Sequence, residues 1–215
     1  MAIGRDRIVD EALKVLNEVG IDKLSTRKLA ERLGVQQPAL YWHFRNKSEL
    51  LDAINSEMML RYHSERLPKP GQDWVTFTLA NARSIRKALL SVRDGARLTA
   101  GTRPSAAEFA DVEKVLQLYI AAGFSAEEAF EIAICVTRYV VGYVLEEQGE
   151  RERQRIDQDA PETDFVKEVT PFPLLAEALA AFHEVGTVNT EAVFESGLGY
   201  LIAGMAQRLR AKTSG

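Results

Sequence analysis

"LSTRKLAERLGVQQPALYWHFRNKSELL", residues 24–51, decides how the chain is read. Ser25 is placed to cap a helix whose apolar positions Leu29, Ala30 and Leu33 recur at helical spacing, and Gly34 stops it. Gln37-Pro38 opens a second helix, because proline is tolerated at the first helical position, where its missing N–H is not needed. Asn46 followed by Glu49 is a capping pattern for a third. The spacing predicts helices over 26–33 and 37–44 joined by Gly-Val-Gln, the layout of a helix-turn-helix. Leu29, Ala30, Leu33, Val35 and Leu40 would form its small core.

Three aromatics and a histidine occupy Tyr41 to Phe44, whereas a core helix spaces its aromatics by three and four. Projected on the second helix, Gln36, Gln37, Ala39, Tyr41, Trp42 and His43 are exposed. Glutamine reads adenine edges, and alanine or aromatic side chains meet thymine methyls. Tyr41 and His43 have groups that hydrogen-bond phosphates, Arg27 can reach guanine, and Lys47 stands at a helix N-terminus suited to phosphate. Phe44 is assigned to packing, and Trp42 fits either role.

The rest of the chain also reads as helical, with no strand pattern and no internal repeat. Ile8, Ala12, Val15, Leu16 and Val19 form a first amphipathic helix stopped by Gly20. After Asn46 a helix runs to "LPKPG" at 67–71, and Asp73-Trp74 opens another reaching Leu90. The stretch 93–104 is broken by Asp94-Gly95, Gly101 and Pro104. Ser105 with Glu108, and Ser125 with Glu128, cap two further helices, the second extending to about Gln148. Residues 149–171, charged and containing Pro161 and Pro171, read as a mobile surface loop. Two helices near 172–183 and 190–211 close an all-α chain of about ten helices.

Bulk composition narrows the function classes. The 215 residues suffice for one large or two small domains. No apolar run is long enough to span a bilayer, and the charged start "MAIGRDRIVDEALK" is unlike a signal peptide. A lone Cys135 makes no internal disulfide, and together these suggest a reducing, cytoplasmic setting. The net charge of −4 divides into +2 over residues 1–50 and −6 over the remainder, so an acidic protein keeps a relatively basic end for a polyanion. With three histidines, no metal-ligand cluster, no phosphate loop and no nucleophile–base pair, an enzyme is poorly supported.

Taken together, "LSTRKLAERLGVQQPALYWHFRNKSELLDAI", "ALLSVRDGARLTAGTRP", "GFSAEEA" and "VGYVLEEQ" resemble the TetR family, above all its tetracycline repressors. The resemblance covers nearly all of the chain except 149–171. It implies an all-α homodimer with a three-helix DNA-binding domain over 1–48 and an effector-binding and dimerisation domain over 49–215. The helix near 126–148 and the last helix would pair with their copies, and two-fold protein symmetry calls for a palindromic double-stranded DNA operator. The DNA contacts implied are Ser25, Thr26, Arg27, Gln37, Pro38, Tyr41, Trp42, His43 and Lys47. Ala39 departs from the family, whose repressors carry a threonine there.

The resemblance also implies a small-molecule pocket. His63 and Asn81 match its polar edge, Thr102, Arg103 and Pro104 its flanking loop, and Glu146 an acid near the bound metal. Phe130 and Ile134 join it from the helix at 126–148. Four positions depart from the pattern. Thr99 replaces the histidine that ligates the drug's magnesium, Ile85 a phenylalanine, Val115 a glutamine and Arg138 a histidine. A threonine hydroxyl is a poor divalent ligand compared with neutral imidazole. The reading is therefore a repressor released by a hydrophobic effector with polar ends, without a metal cofactor. Magnesium enters only if tetracycline is the effector. Arg138 is free to pair with Glu146 or with an anionic ligand. Three alternatives stand: a tetracycline-responsive repressor with an altered metal site, a constitutive DNA-binding regulator, and a ligand-responsive activator. The usual neighbour of such a gene, an efflux pump conferring antibiotic resistance, is implied by the family alone.

Overall fold

The computed structural model describes residues 3–156, 169–180, 182 and 187–213. Its described residues form ten α-helices and one short 3-10 turn, without a strand. Helices α1 (Arg5–Val19), α2 (Thr26–Leu33), α3 (Pro38–Tyr41) and α4 (Lys47–Tyr62) make the N-terminal cluster. Helices α5 (Trp74–Leu90), α6 (Gly95–Ala100), α7 (Phe109–Ala121), α8 (Ala126–Ile156), α9 (Pro173–Ala180) and α10 (Glu191–Thr213) follow.

Local chemistry sets most boundaries. The Ser25 hydroxyl accepts from the Lys28 N–H at 3.2 Å, and Asn46 Oδ1 accepts from the Glu49 N–H at 2.9 Å. Asp73 caps α5 through the Val75 and Thr76 N–H groups, both at 3.0 Å. Gly34, at φ +67°, ends α2 in the left-handed conformation that only glycine adopts without strain. Ser105 and Glu108 form a reciprocal capping box, although the first turn is 3-10 and the α-helix starts at Phe109.

The N-terminal core is Ile8, Val9, Ala12, Leu13, Val15 and Leu16 of α1 packed on Leu24, Leu29, Ala30, Leu40, Phe44, Leu50, Ile54 and Met58, all buried. Phe44 is a packing residue, as expected, and the Arg5 guanidinium lies 4.8 Å from its ring centroid. A second set, Phe77, Ile85, Leu89, Val92, Leu98, Tyr119, Phe124, Val136, Val140, Val144, Phe194 and Leu198, continues this core through α5–α8 and α10.

Four expectations need correction. The helix expected over 37–44 stops at Tyr41, and Trp42 and His43 lie in a turn. Phe44 must reach the core, and only departure from the helical path brings consecutive bulky residues to opposite sides. The broken stretch 93–104 contains α6, because Asp94 at φ +57° turns the chain and starts a new helix at once. The helix expected to end at Gln148 runs to Ile156. Glu, Gln and Arg are good helix formers, so charge alone did not make residues 149–156 a loop. Residues 157–168 of that expected loop lie outside the described residues. The two last helices, expected near 172–183 and 190–211, span 173–180 and 191–213 among the described residues, and residues 181 and 183 lie outside them.

Candidate DNA-binding and effector sites

The segment 25–47 presents a shaped polar and aromatic surface. Trp42 is 88% exposed and Tyr41 50% exposed, and Arg27, Pro38 and Lys47 are also exposed. Ala39 and His43 are half-buried. Gln37 Nε2 donates to Thr26 Oγ1 at 2.8 Å and to Tyr41 Oη at 3.4 Å, so α2 orients the side chain that opens α3. Both amide hydrogens of Gln37 are thus engaged. Ser25 is occupied in capping, and Arg27 bonds Glu31 at 3.0 Å on the exposed face of α2. The surface pair costs little to break, so Arg27 remains available to a polyanion.

The candidate effector residues divide into two sets. His63, at the end of α4, is buried, with its Nδ1 2.9 Å from Ser84 Oγ and its Nε2 3.3 Å from Asn81 Nδ2. Asn81 also donates to the Glu65 carbonyl at 2.9 Å, and Ser84 accepts from the Glu65 N–H at 3.1 Å. Asn81 can only donate through its NH₂ group, so the ring proton belongs on Nδ1, donated to Ser84. Ser84 is the member that the sequence reading missed. Its signal was a second polar residue three positions after Asn81 on a largely apolar helix. Ile85 is buried beside it and Val115 half-buried on α7.

Burial, with a smaller contribution from Arg66, lowers the His63 pKa from 6.5 to about 4. The folded state thus holds a neutral imidazole, while the unfolded chain takes up its proton first. The resulting stabilisation is complete above pH 6.5 and is lost as pH falls towards 4. It amounts to about 3 kcal/mol at most. The melting temperature should fall between pH 6.5 and 4.5, and His63→Phe should flatten that slope. An identical slope in the variant would mean that other groups carry it.

At the other set, Thr99 Oγ1 lies 2.7 Å from Asn55 Oδ1 and 3.0 Å from the Gly95 carbonyl. Thr102 Oγ1 donates to the Thr99 carbonyl at 3.1 Å, and the Arg103 N–H donates to Asp52 Oδ1 at 3.1 Å. Pro104 is exposed in the same loop. The donor set here is poor for a divalent ion. Thr99 is neutral and already hydrogen-bonded, and no group of three or more His, Cys, Asp or Glu suited to a metal occurs among the described residues. The residues around Thr99 do not fit a magnesium centre within one chain.

Phe130, Arg138 and Glu146 are exposed on α8 and Ile134 is half-buried, so this chain does not gather them around His63. Arg138 and Glu146 make no ion pair with each other among the described residues. Glu146, which the resemblance matches to an acid near the bound metal, is exposed, and its neighbour Glu147 is buried and paired with Arg86 at 2.7 Å. Two side chains one position apart on a helix point about 100° apart, which is why one is buried and the other exposed.

Comparison with known proteins places this architecture. Residues 8–54 match the family model described as bacterial regulatory proteins, tetR family. Residues 67–209 match the model described as tetracyclin repressor-like, C-terminal domain. The tetracycline repressor protein class A from transposon 1721 of Escherichia coli is 48% identical over 94% of this chain and 89% of its own length. Among solved structures, TetR from Acinetobacter baumannii AYE is 42% identical with TM-score 0.73, covering 96% of this chain and 98% of that one. TetR class A in complex with 5a,6-anhydrotetracycline and magnesium is 38% identical with TM-score 0.73, covering 94% and 97%. With both of its ends matched in order, and with relatives that are regulators rather than enzymes, the chain belongs to the TetR family of bacterial regulatory proteins.

Proposed function

We propose that this chain is a ligand-released transcriptional repressor, acting in the cytoplasm as a homodimer on a palindromic operator. One observation carries the reading: the same chain joins a recognition segment, Gln37 to His43, that exposes Tyr41 and Trp42, to a largely buried polar cluster, His63–Asn81–Ser84, through one continuous helix, α4. No helix among the described residues is long and apolar enough to cross a membrane. Residues 1–48 carry DNA binding, and residues 49–215 carry effector binding and dimerisation. Exposed Phe130 and Tyr200, with the open surfaces at Gly142, Gly199 and Gly204, favour α8 and α10 as the faces for a second copy.

For the DNA face, Gln37 reads a base, Ala39 and Trp42 supply apolar contacts to the groove, and Tyr41, His43, Arg27 and Lys47 hold phosphates or base edges. Ser25 and Thr26 act one step back, by capping α2 and orienting Gln37, and Pro38 fixes the start of α3. Duplexes enriched from a random-sequence library supply the operator. Gln37→Ala should then weaken operator binding by about 1–3 kcal/mol and relax preference at one base step, whereas Lys47→Ala should weaken all sequences alike. Equal losses on operator and non-specific DNA for Gln37→Ala would remove its base-reading role.

The effector fits as a hydrophobic molecule with hydrogen-bonding ends, bound without a metal. His63 and Asn81 present its polar end, Ile85 and Val115 its apolar walls, and Thr102, Arg103 and Pro104 the loop that moves. Ile134, and from the dimer face Phe130, Arg138 and Glu146, complete the pocket's rim. The named relatives favour a second reading, a tetracycline-responsive repressor with an altered metal site. Titrating the purified dimer with tetracycline, with and without magnesium, followed by Trp fluorescence, separates the two. Metal-dependent micromolar binding would overturn the metal-free reading; absence of binding would support it.

A further inference from the structure

Gln37 is held through both its backbone and its side chain. Its φ of −51° and ψ of −37° are helical, and its carbonyl accepts from the Leu40 N–H at 3.1 Å. Pro38 locks φ at the next position. The side chain turns back towards α2, where Nε2 donates to Thr26 Oγ1 at 2.8 Å and to Tyr41 Oη at 3.4 Å. Thr26 is the first residue of α2, and its neighbour Ser25 caps that helix through the Lys28 N–H. The nearer oxygen that receives Gln37 is therefore carried by a capped helix end.

A glutamine amide has two unlike ends: the carbonyl only accepts, and the amino group only donates. Facing two oxygens, the amino group gives one hydrogen to each and leaves the Thr26 and Tyr41 hydroxyl protons free. Turned the other way, the carbonyl would take both of those protons, and the Tyr41 phenol would have none to give a phosphate. With the amino group occupied, the carbonyl Oε1 is the end left for a base. In the major groove adenine and cytosine each present an exocyclic amino group, whereas guanine O6 and thymine O4 are acceptors. Adenine also offers N7, to which a free glutamine amino group would add a second bond.

We propose that Thr26 sets what Gln37 reads: by holding the amino group, it makes Gln37 a pure acceptor that selects adenine or cytosine at one operator position and rejects guanine and thymine there. This deepens the repressor reading above and rests on it. Thr26 is a positioning residue, which touches Gln37 and acts on the base through it. The two-bond pairing that glutamine makes with adenine is given up at this position, and with it the distinction between adenine and cytosine.

Base preference separates the outcomes. Duplexes are enriched from a random-sequence library by the purified dimer, and the position whose preference Gln37→Ala relaxes is identified. Each of the four bases is then placed there in one half-site, and binding is measured for wild type, Thr26→Val, Thr26→Ser and Tyr41→Phe. Wild type should bind the adenine and cytosine duplexes within about fivefold of each other, and both more than about fivefold tighter than guanine or thymine. Thr26→Val frees an amide hydrogen for adenine N7 and should raise adenine over cytosine by a further factor of about five or more, the low end of what a two-bond pair supplies. Thr26→Ser keeps the acceptor and should keep the wild-type ratio, and Tyr41→Phe, which removes only the longer bond, should move it less than Thr26→Val. Three results overturn the assignment while leaving the repressor reading standing: a wild-type preference for adenine over cytosine beyond about fivefold, a preference for guanine or thymine, or an unchanged ratio in a folded Thr26→Val. The wild-type ratios decide even where that variant does not fold. A Gln37→Ala variant that relaxes no position removes base reading by Gln37 and this proposal with it. Failure of wild type to enrich any duplex overturns the repressor reading as well.

Discussion

Arg86→Ala is expected to destabilise the fold by about 3–5 kcal/mol, the usual cost of stranding one member of a buried ion pair. Arg86 Nε and Nη2 donate to the two carboxylate oxygens of Glu147 at 3.0 and 2.7 Å. The two side chains are 13% and 6% exposed. Nη1 also donates to Glu191 at 2.6 Å, and the guanidinium lies 4.7 Å from the Phe194 ring centroid and 5.7 Å from that of Tyr143. One residue of α5 thereby holds α8 and α10 together, and its pKa is raised, chiefly by the bond to Glu147. Truncation leaves the Glu147 carboxylate buried without its partner. A melting temperature lower by roughly 10 °C would follow for a domain of this size. Arg86→Met combined with Glu147→Leu removes both charges and should recover most of the loss. A single variant within about 1 kcal/mol of wild type would mean that water or Glu191 rearrangement compensates, and that the pair does not organise the three helices.

Gly95→Ala is the second substitution with a large expected effect. An added Cβ would lie 2.3 Å from the Leu89 carbonyl oxygen and 3.1 Å from its carbon, and these are backbone atoms that no rotamer change can move. That oxygen also accepts from Gln148 Nε2 at 3.0 Å, so displacing it disturbs α8 as well. Overpacking of this kind costs about 3 kcal/mol. The consequence for function follows from what surrounds Gly95. Asp94 Oδ2 accepts from the Ile21 N–H at 2.8 Å, Arg93 donates to the Glu18 carbonyl at 3.1 Å, and Arg97 holds Asp22 by two bonds of 2.9 and 2.8 Å. Shifting the start of α6 therefore shifts its contacts with the turn between α1 and α2. The variant should melt lower and bind operator more weakly. Gly101→Ala is the control, because its added Cβ meets nothing nearer than 3.9 Å. Equal behaviour of the two variants in thermal unfolding would show that close approach at Gly95 is not what requires glycine.

Much of the fold was legible because it is local. Ser25, Gly34, Asn46, Asp73 and Ser105 each announce a boundary through a hydrogen bond or a backbone angle spanning four residues or fewer. His63 illustrates the limit. Its surroundings in sequence, "MMLRYHSER", are those of a solvated residue, yet Asn81 and Ser84 from another helix enclose it. Arg138 and Glu146 illustrate the reverse case: matched by resemblance, they remain exposed on α8, while Glu147 is the buried acid.

The sequence by itself determined the helical class, the helix-turn-helix and the family, since these rest on periodicity, caps and a matching order of words, all short-range properties of the chain. Tertiary structure alone decided that α3 stops at Tyr41 so that Phe44 can be buried, that Asp94 turns the chain into α6, and that Thr99 meets Asn55. Those outcomes depend on which side chains compete for the same space or the same proton. Such competition joins residues far apart in the chain, and no local pattern records it.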